Sequence, residues 1–382
     1  MNSFDVVIIG SGVIGLSIAY HLSLDNSLKV AVVDREKFPC AGSTAQCTGG
    51  IRHQFSNPVC VTMTKISLPY FKRFNADMEY PVYFRQRGYL FVSAKEENRP
   101  LFINNTRLLD DFGIPAYFFS PAELAARYPF LHSEDLIGGT YCPEDGYADP
   151  YGVTMGYFNQ ARKRGVQAFF QEEVTGVDVQ GGAVKGIITS KRRINCGVLV
   201  NAAGPDLPGI GRMAGIDIPA RPYRRQVYVC SPLGGIPGST PLVVDLDTGF
   251  YLHAEKNGIL LLGGTDRDTY PGTDTSVDWS LLDGFIEAAV GRIPALQEGS
   301  LEKAYVGIRS LTPDYLGLLG EHPAVKGFFI AGGFAGNGFM HSPAIGIISS
   351  QLILRGSCDL LDTSPLSPAR VLSGSKAEKN IF

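Results

Sequence analysis

The sequence lacks any arrangement of cysteines typical of a disulfide framework or a metal site. Seven cysteines are scattered among 382 residues, and no two of them form a Cys-x-x-Cys pair. An odd, dispersed set of this kind argues against zinc binding and favours a reducing compartment. Only four residues precede the first apolar run, which leaves no room for a signal peptide. We therefore expect a cytoplasmic protein without a resident metal.

Long hydrophobic runs and an excess of one charge are absent too. No apolar stretch reaches the length of a membrane-spanning helix, so no transmembrane segment is predicted. A formal net charge of −3 gives no reason to expect nucleic acid or an anionic membrane as a partner. With 45% hydrophobic and 19% charged residues the composition is that of a folded protein. Its length predicts two connected domains.

The most informative pattern lies near the start of the chain. An apolar run at 5–9 leads into Gly10-x-Gly12-x-x-Gly15, a helical pattern and a second apolar run at 30–33. Between a strand and a helix, such glycines allow a tight turn and a close approach of the backbone to a pyrophosphate. Asp34 follows Gly15 by 19 residues, where an acidic side chain can accept from a ribose hydroxyl. The pattern predicts dinucleotide binding, with FAD or NAD favoured over NADP.

Two later segments repeat the motif of a strand that runs into glycines. One is the apolar run 198–200, which enters Asn-Ala-Ala-Gly at 201–204, and the other is 326–331, which enters a glycine-rich stretch and an apolar helix at 343–354. A nucleotide domain closed by its last element suits a ligand larger than NAD. The alternating strands of 215–264 predict an antiparallel substrate sheet, to which we assign 82–93 as a hairpin-like strand pair.

The sequence therefore predicts an α/β plus α+β protein with a discontinuous nucleotide domain. We assign 1–79, 141–214 and 315–363 to that domain, 80–140 and 215–314 to the substrate domain, and 364–382 to a polar, loosely held tail. The segment 40–57 combines small and hydroxyl side chains with Arg52 and His53, which is typical of a cofactor wall, although a capped loop would look similar. Cys47 is expected to be a small buried filler rather than a covalent flavin anchor.

Five segments occur in the order found in one known family. They are the Gly10/Asp34 fingerprint, GSTAQCTGGIRHQF, NAAGPD, GIRSLTPD and GGFAGNGFMHSPAIG. Together they resemble the FAD-dependent D-amino acid oxidase superfamily, in particular glycine oxidase, sarcosine oxidase and the β subunit of dye-linked L-proline dehydrogenase. The similarity covers about residues 5–355. It implies an FAD-binding Rossmann-like domain of the glutathione-reductase type and an antiparallel-sheet substrate domain.

The resemblance also implies which residues bind the cofactor. The set comprises Gly10, Gly12, Val13, Ile14, Gly15, Asp34, Arg35, Ser43, Thr44, Thr48, Gly49, Gly50, Val174, Ala202, Ala203, Gly204, Gly307, Gly336, Asn337, Gly338, Phe339 and Met340. The glycine-rich stretch that ends at Met340 would present N–H groups to the flavin, where a helix N-terminus stabilises negative charge. Relatives with covalent flavin carry a cysteine where this chain has Gly307, so we expect FAD to be bound non-covalently.

For the substrate, the family's Gly-x-Arg run places an arginine over the flavin. It matches Gly307-Ile308-Arg309, and a guanidinium suits a carboxylate because it can bind in a bidentate manner. Tyr251 resembles a tyrosine that binds carboxylate or shapes the pocket, although a core aromatic would also fit. His341 is a candidate catalytic residue whose alternative role is a hydrogen-bonded scaffold.

The function implied is oxidation of a C–N bond in a small amino acid or secondary amine. Glycine, sarcosine, proline or a D-amino acid would fit, with hydride transfer to flavin N5 and hydrolysis of the imine. The apolar strand at 258–264 lacks the lysine that helps some relatives use oxygen, which leaves room for a dehydrogenase and an electron-accepting subunit in a homo- or hetero-oligomer. Two alternatives stay open, namely oxidation of a 2-hydroxy acid or polyol phosphate with His53 or His341 as base, and a flavoprotein subunit without a substrate of its own.

Overall fold

The structure, a computed structural model, describes residues 2–255, 257–264, 271–372 and 377–378. The strands of these residues are β1 (Asn2–Ile9), β2 (Val30–Val33), β3 (Gly50–Ile51), β4 (Arg85–Gln86), β5 (Tyr89–Ser93), β6 (Tyr117–Phe119), β7 (Gly138–Cys142), β8 (Gly146–Tyr147), β9 (Gln167–Phe169), β10 (Val174–Gln180), β11 (Ala183–Thr189), β12 (Arg193–Asn201), β13 (Arg221–Cys230), β14 (Leu242–Asp245), β15 (Tyr251–Ala254), β16 (Leu260–Gly263), β17 (Leu301–Leu311), β18 (Leu318–Glu321) and β19 (Phe328–Gly332). The α-helices are α1 (Val13–Leu22), α2 (Pro58–Met78), α3 (Arg99–Asp111), α4 (Pro121–Arg127), α5 (Pro150–Lys163), α6 (Leu207–Met213), α7 (Leu282–Arg292) and α8 (Ser342–Arg355).

The first sheet is built on parallel strands that come from distant parts of the chain. Its parallel part runs β9-β2-β1-β12-β19, with β18 antiparallel beside β19 and the antiparallel pair β10-β11 attached to β12. The last of these parallel strands is supplied from residue 328 onward, as the returning apolar run predicts. The expectation of a Rossmann-like sheet closed by its last element is confirmed.

The parallel strands of this sheet are mostly apolar because both faces of the sheet are buried. Side chains alternate along a strand, so Val6 and Ile8 of β1 join a core with helices α1, α2, α5 and α8. Val7 and Ile9 point the other way and join a second core with β10, β11 and α6. Because each face is covered, a continuous apolar sequence is required and polar alternation is absent.

The second sheet is mostly antiparallel. Its order is β17-β13-β16-β15-β14-β5-β7-β6, in which only the β14–β5 pair is parallel. One face packs on α4 and α7 through Leu124 and Phe285. The other face presents Tyr89 and Tyr251. The antiparallel sheet predicted from alternating residues is confirmed, and its part in substrate binding stays a prediction.

The predicted hairpin at 82–93 is wrong. Strands β4 and β5 do not pair with each other, because β5 joins the second sheet while β4 pairs with β8 in a small sheet of order β3-β8-β4. The turn around Gly88 thus passes the chain from one sheet to another. The boundary placed at residue 140 falls inside β7, which pairs along its length with β5, and the division into domains otherwise stays a prediction.

The tail is not loosely held where the structure describes it, which corrects a second expectation. Leu366 has 1% of its surface exposed and belongs to the main core. The guanidinium of Arg370 forms an ion pair with Asp314, with an Nε–Oδ2 distance of 3.0 Å. Glu378 is buried as well. The polar composition of the tail did not predict that an ion pair anchors it.

Among the residues that the structure describes, no helix is both long enough and apolar enough to cross a membrane.

Candidate functional site

A cavity of about 660 Å³ lies where the parallel strands of the first sheet end. Ile9, Val33, Ala202 and Gly332, at or just beyond the carboxyl ends of β1, β2, β12 and β19, all line it. Its other walls come from the loop 41–52 and from the second sheet. Ligands of open α/β sheets bind outside the carboxyl ends of the strands, and the volume is that of a ligand site.

The first glycine turn is shaped by backbone contacts. Gly10 has a φ of +105°, and a side chain there would overlap the carbonyl oxygen of Ala202. A side chain on Gly15 would overlap the carbonyl oxygen of Gly10. Gly15 does not line the cavity, because its part is to let α1 approach β1 closely. Gly10 and Gly12 themselves line it.

Asp34 lines the same end of the cavity and is fixed by backbone donors. Its Oδ2 accepts from the N–H and hydroxyl of Ser11 at 2.7 and 2.6 Å, and its Oδ1 accepts from the N–H of Glu36 at 2.9 Å. Arg35 beside it pairs with Asp206 at 2.8 Å. A carboxylate held in this way at the end of β2 is placed to accept from a ribose hydroxyl, as its spacing predicts.

The hydroxyl segment lies opposite this turn. Residues Ser43–Gln46 form a 3₁₀ turn, and the hydroxyl oxygen of Thr44 accepts from the N–H of Val13 at 3.2 Å. The Ser43 hydroxyl is buried, lines the cavity and has no hydrogen-bond partner in the described part of the chain. Buried polar groups normally have partners, so this hydroxyl points to a ligand with acceptor atoms, such as phosphate.

The glycine-rich stretch after β19 forms the opposite wall. Gly336 has a φ of +89°, and a Cβ there would lie 3.0 Å from Nε of Arg309. The Arg309 side chain therefore lies along Gly336, at the site where the flavin edge is expected. A Cβ on Gly307 would lie 3.2 Å from that of Gln46, so this glycine admits the hydroxyl turn. Burial raises the pKa of the neighbouring Cys47 thiol, while the Gly49 N–H and the Arg309 charge act to lower it.

Two tyrosines project into the cavity from the second sheet. Tyr251 has 4% of its surface exposed and lies beside Gly263, where a Cβ would be 2.9 Å from its hydroxyl. Tyr89 of β5 packs its hydroxyl against Gly50. Tyr89 is absent from the site residues predicted from the sequence, although its alternation with Leu90 along β5 places it on the same sheet face as Tyr251.

The histidines considered as bases do not line the cavity. His341 has 1% exposure, and its Nε2 lies 3.1 Å from the hydroxyl of Thr64 on α2. Burial lowers its pKa to about 3, and the charges of Arg52 and His53 act in the same direction. Burial also lowers the pKa of His253 to about 4. His341 thus lies outside the cavity wall with a lowered pKa, and we do not carry its catalytic assignment into the proposal.

A buried cluster of His53, Cys142 and Asp145 lies behind the cavity wall, with ligand-type atoms within 4.8 Å of one another. Asp145 accepts from the N–H and Nδ1 of His53 at 2.7 and 2.8 Å, and from Nε2 of Gln54 at 3.3 Å. These hydrogen bonds fix the backbone at His53, the residue that follows Arg52.

Most of the predicted site residues meet in this single cavity. All line it except Gly15, Gly49 and His341. A side chain on Gly49, which has a φ of +76°, would overlap the carbonyl oxygen of Ala148, so this glycine shapes the loop behind the wall. Nine lining residues with charged or phenolic groups are absent from the predicted set, namely Glu36, Arg52, Tyr89, Glu172, Glu173, Asp206, Arg225, Tyr315 and Glu378.

These features define the class of protein. A glycine turn entering a helix, an anchored carboxylate at the end of β2 and an arginine from a second sheet line one cavity, an arrangement that suits a dinucleotide. The family model described as FAD dependent oxidoreductase matches residues 5–352. The chain belongs to this family, and FAD is its cofactor.

Three relatives illustrate the range of similarity. FAD-dependent oxidoreductase domain-containing protein 1 of Bos taurus is 28% identical over 422 residues, covering 98% of this chain and 86% of that protein. Mitochondrial sarcosine dehydrogenase of Homo sapiens is 28% identical over 370 residues, covering 93% of this chain but 40% of that protein. The crystal structure of L-proline dehydrogenase from P. horikoshii superposes with a TM-score of 0.91 at 29% identity, covering 98% and 99% of the two chains. The resemblance inferred from the motifs is confirmed.

The residues present fit FAD. Two features suit the pyrophosphate, namely the N-terminus of α1 and the Ser43 hydroxyl, which has no partner within the described residues. Both offer hydrogen-bond donors to anionic oxygens. Asp34 suits the ribose, and the glycine-rich stretch with its crowded Gly336 suits the flat edge of the ring system.

Proposed function

We propose that this FAD-dependent oxidoreductase oxidises the C–N bond of a small amino acid or secondary amine, of the glycine, sarcosine, proline or D-amino acid type. The observation that carries the proposal is the position of Arg309, which lines the cavity beside Gly336. An arginine there provides a bidentate partner for a carboxylate and fixes the substrate's orientation. The names of two relatives, sarcosine dehydrogenase and L-proline dehydrogenase, support the same substrate class.

The protein's own groups have defined parts in this chemistry. Arg309 holds the carboxylate, while Tyr251 and Tyr89 wall the substrate in with aromatic surface and hydroxyl groups. When bound, FAD accepts the hydride equivalent removed from the carbon next to nitrogen. A substrate with a neutral amine needs no side-chain base, and water hydrolyses the imine product. The absence of His53 and His341 from the cavity wall is compatible with this, whereas oxidation of an alcohol would require a base there.

The Arg309→Ala variant tests the proposal. We expect the purified protein to be yellow. When a panel of amines and 2-hydroxy acids is added anaerobically, the amines should bleach the flavin absorbance and the hydroxy acids should not. Arg309→Ala should retain FAD and lose about 100-fold in kcat/KM, since a charged hydrogen-bonded pair contributes about 3 kcal/mol. Arg309→Lys, which keeps the charge but not the fork, should lie in between. Bleaching by hydroxy acids alone would contradict the proposal.

Three finer points belong to the same proposal. FAD is bound non-covalently, because Gly307 stands where covalent relatives carry cysteine; denaturation in acid should release all flavin. Electrons pass to an acceptor other than oxygen, such as a dye, quinone or partner subunit. If no small substrate reduced the FAD bound to the single chain, the protein would instead be a flavoprotein subunit. The location is cytoplasmic, in keeping with seven cysteines that are all free thiols within the described residues.

A further inference from the structure

One charged wall of the cavity comes from the far end of the sequence. Glu378 has 2% of its surface exposed and lines the cavity. Its Oε1 accepts from the N–H and hydroxyl of Ser56 at 2.9 and 2.7 Å, and its Oε2 accepts from the N–H of Asn57 at 3.0 Å. The backbone N–H of Glu378 donates to the carbonyl of Asp314 at 3.1 Å.

The carboxylate is well placed electrostatically. Asn57 is the N-cap of α2, a helix of 21 residues, and a negative charge at a helix N-terminus is stabilised by the unpaired N–H groups and the helix dipole. The ion pair of Arg370 with Asp314 anchors the chain just before this point. Glu378 is therefore held in a prepared position and is not an incidental contact of a chain end.

Glu378 acts electrostatically on Arg52, one of two buried arginines that line the cavity, the other being Arg225. The Arg52 guanidinium lies 4.0 Å over the ring of Phe55 and 5.6 Å from that of Phe91, with 3% of the residue exposed. Burial lowers the pKa of Arg52, and the negative charge of Glu378 is the largest opposing influence. The two charges thus compensate each other in a wall from which water is largely excluded, where unpaired charge is costly.

We propose that Glu378 is a specificity-determining residue that restricts the site to substrates with a single carboxylate. The proposal rests on the amine oxidation inferred above. Four arginines of the described chain line the cavity. Arg35 pairs with Asp206, Arg225 donates to the carbonyl of Arg224, and Glu378 offsets the charge of Arg52. Arg309 takes the substrate's carboxylate in this arrangement. A second carboxylate would meet the Glu378 charge. Like charges repel more strongly in partly buried surroundings than in water, which weakens binding of such a ligand.

The proposal is tested by equilibrium binding, which does not depend on turnover. Propionate and succinate, one and two carboxylates on a short chain, are titrated into the FAD-loaded protein and followed by the flavin absorbance. The natural protein should bind propionate at least about tenfold more tightly than succinate. Glu378→Gln should reduce or reverse this ratio by about tenfold or more, because Arg52 then becomes available to the second carboxylate. Ser56→Ala, which removes one donor but keeps the charge, is the matched control and should preserve the ratio.

Each outcome is decisive. Equal binding of the two acids by the natural protein overturns the proposal even if Glu378→Gln fails to fold. An unchanged ratio in a folded, yellow Glu378→Gln variant overturns it as well. Failure of the amine proposal looks different, since substrate amines would then leave the flavin oxidised whatever the two acids do.

Discussion

The guanidinium of Arg309 lies against Gly336, so closely that a Cβ on the glycine would stand 3.0 Å from Nε and 3.1 Å from Cδ. The contact joins β17 of the second sheet to the glycine-rich stretch after β19 of the first. The residue that we propose to bind the substrate's carboxylate is thereby set in place by a residue of the proposed flavin site. If both assignments hold, carboxylate binding and flavin binding depend on one packing contact.

Gly336→Ala should disturb this contact. The added methyl displaces the Arg309 side chain, and the φ of +89° adds backbone strain of about 1 kcal/mol. We expect propionate, followed by flavin absorbance, to bind about tenfold more weakly, with a lower Tm. Gly356→Ala is a matched control, because Gly356 has a φ of +73° and, among the described residues, a methyl added there would meet open space. It should lower Tm without changing propionate affinity; an equal affinity loss in both variants would contradict the contact's role.

Ser43→Ala tests the cofactor site. Its buried hydroxyl is unpartnered in the described chain, and a hydrogen bond to a charged phosphate contributes about 1.5–3 kcal/mol. The variant should bind FAD about tenfold or more weakly, measured by fluorescence recovery of released flavin on dilution. Ser27→Ala, on an exposed turn, should leave FAD affinity unchanged. If Ser43→Ala bound FAD as tightly as the natural chain, the hydroxyl would have no part in binding phosphate.

The parts of the site that sequence could predict are those encoded within one local unit. Gly10, Gly12 and Asp34 belong to a single strand–turn–helix–strand segment, so their spacing alone places them together. Glu378 illustrates the opposite case, since its contact with Ser56 spans 322 residues and depends on how the tail packs. No spacing rule relates such positions.

The wrong hairpin and the position of His341 outside the cavity wall have similar physical causes. The segment 82–93 has the alternation and turn of a hairpin, but the partner of β4 is β8, about sixty residues later, and its pairing is decided by tertiary packing. His341 follows Met340, which lines the cavity, yet the start of α8 turns the histidine toward Thr64. Adjacent residues of a motif can therefore face opposite sides, which the sequence pattern does not resolve.

Acid should destabilise the protein through buried histidines. Burial lowers the pKa of His21 and His253 to about 4 and that of His341 to about 3, from 6.5 in the unfolded chain. Between pH 6.5 and pH 4 the unfolded state binds more protons than the folded state. The free energy of unfolding is therefore highest above pH 6.5 and decreases as the pH falls toward 4. Each histidine contributes a slope of up to about 1.4 kcal/mol per pH unit in that window.

Urea unfolding at a series of pH values measures this slope. His341→Asn should reduce the slope by about one histidine's share, about 1.4 kcal/mol per unit. Ile348→Val, a fully buried apolar position, should lower the free energy of unfolding and leave the slope unchanged. A His341→Asn slope equal to that of the natural chain would mean that the buried ring does not resist protonation.

A buried ion-pair network should dominate the stability of the second sheet. Arg292, at the end of α7, donates from Nε to Asp245 at 2.8 Å and from Nη1 to Asp135 at 2.8 Å, and also to the carbonyl of His132 at 2.6 Å. Asp245 has 1% exposure. Although burial acts to lower the pKa of Arg292, its pairing with Asp135 and Asp245 raises that pKa.

Arg292→Met should therefore cost about 3–5 kcal/mol in the free energy of unfolding, because it leaves the Asp245 carboxylate buried without its cation. Arg73→Met, which breaks an exposed pair with Asp77 on α2, should cost less than about 1 kcal/mol and controls for loss of charge. The double variant Arg292→Met/Asp245→Asn removes the stranded charge and should regain part of the loss. A single-variant loss below about 1 kcal/mol would show that Asp245 finds other compensation, and that the helix is held to the sheet by apolar packing alone.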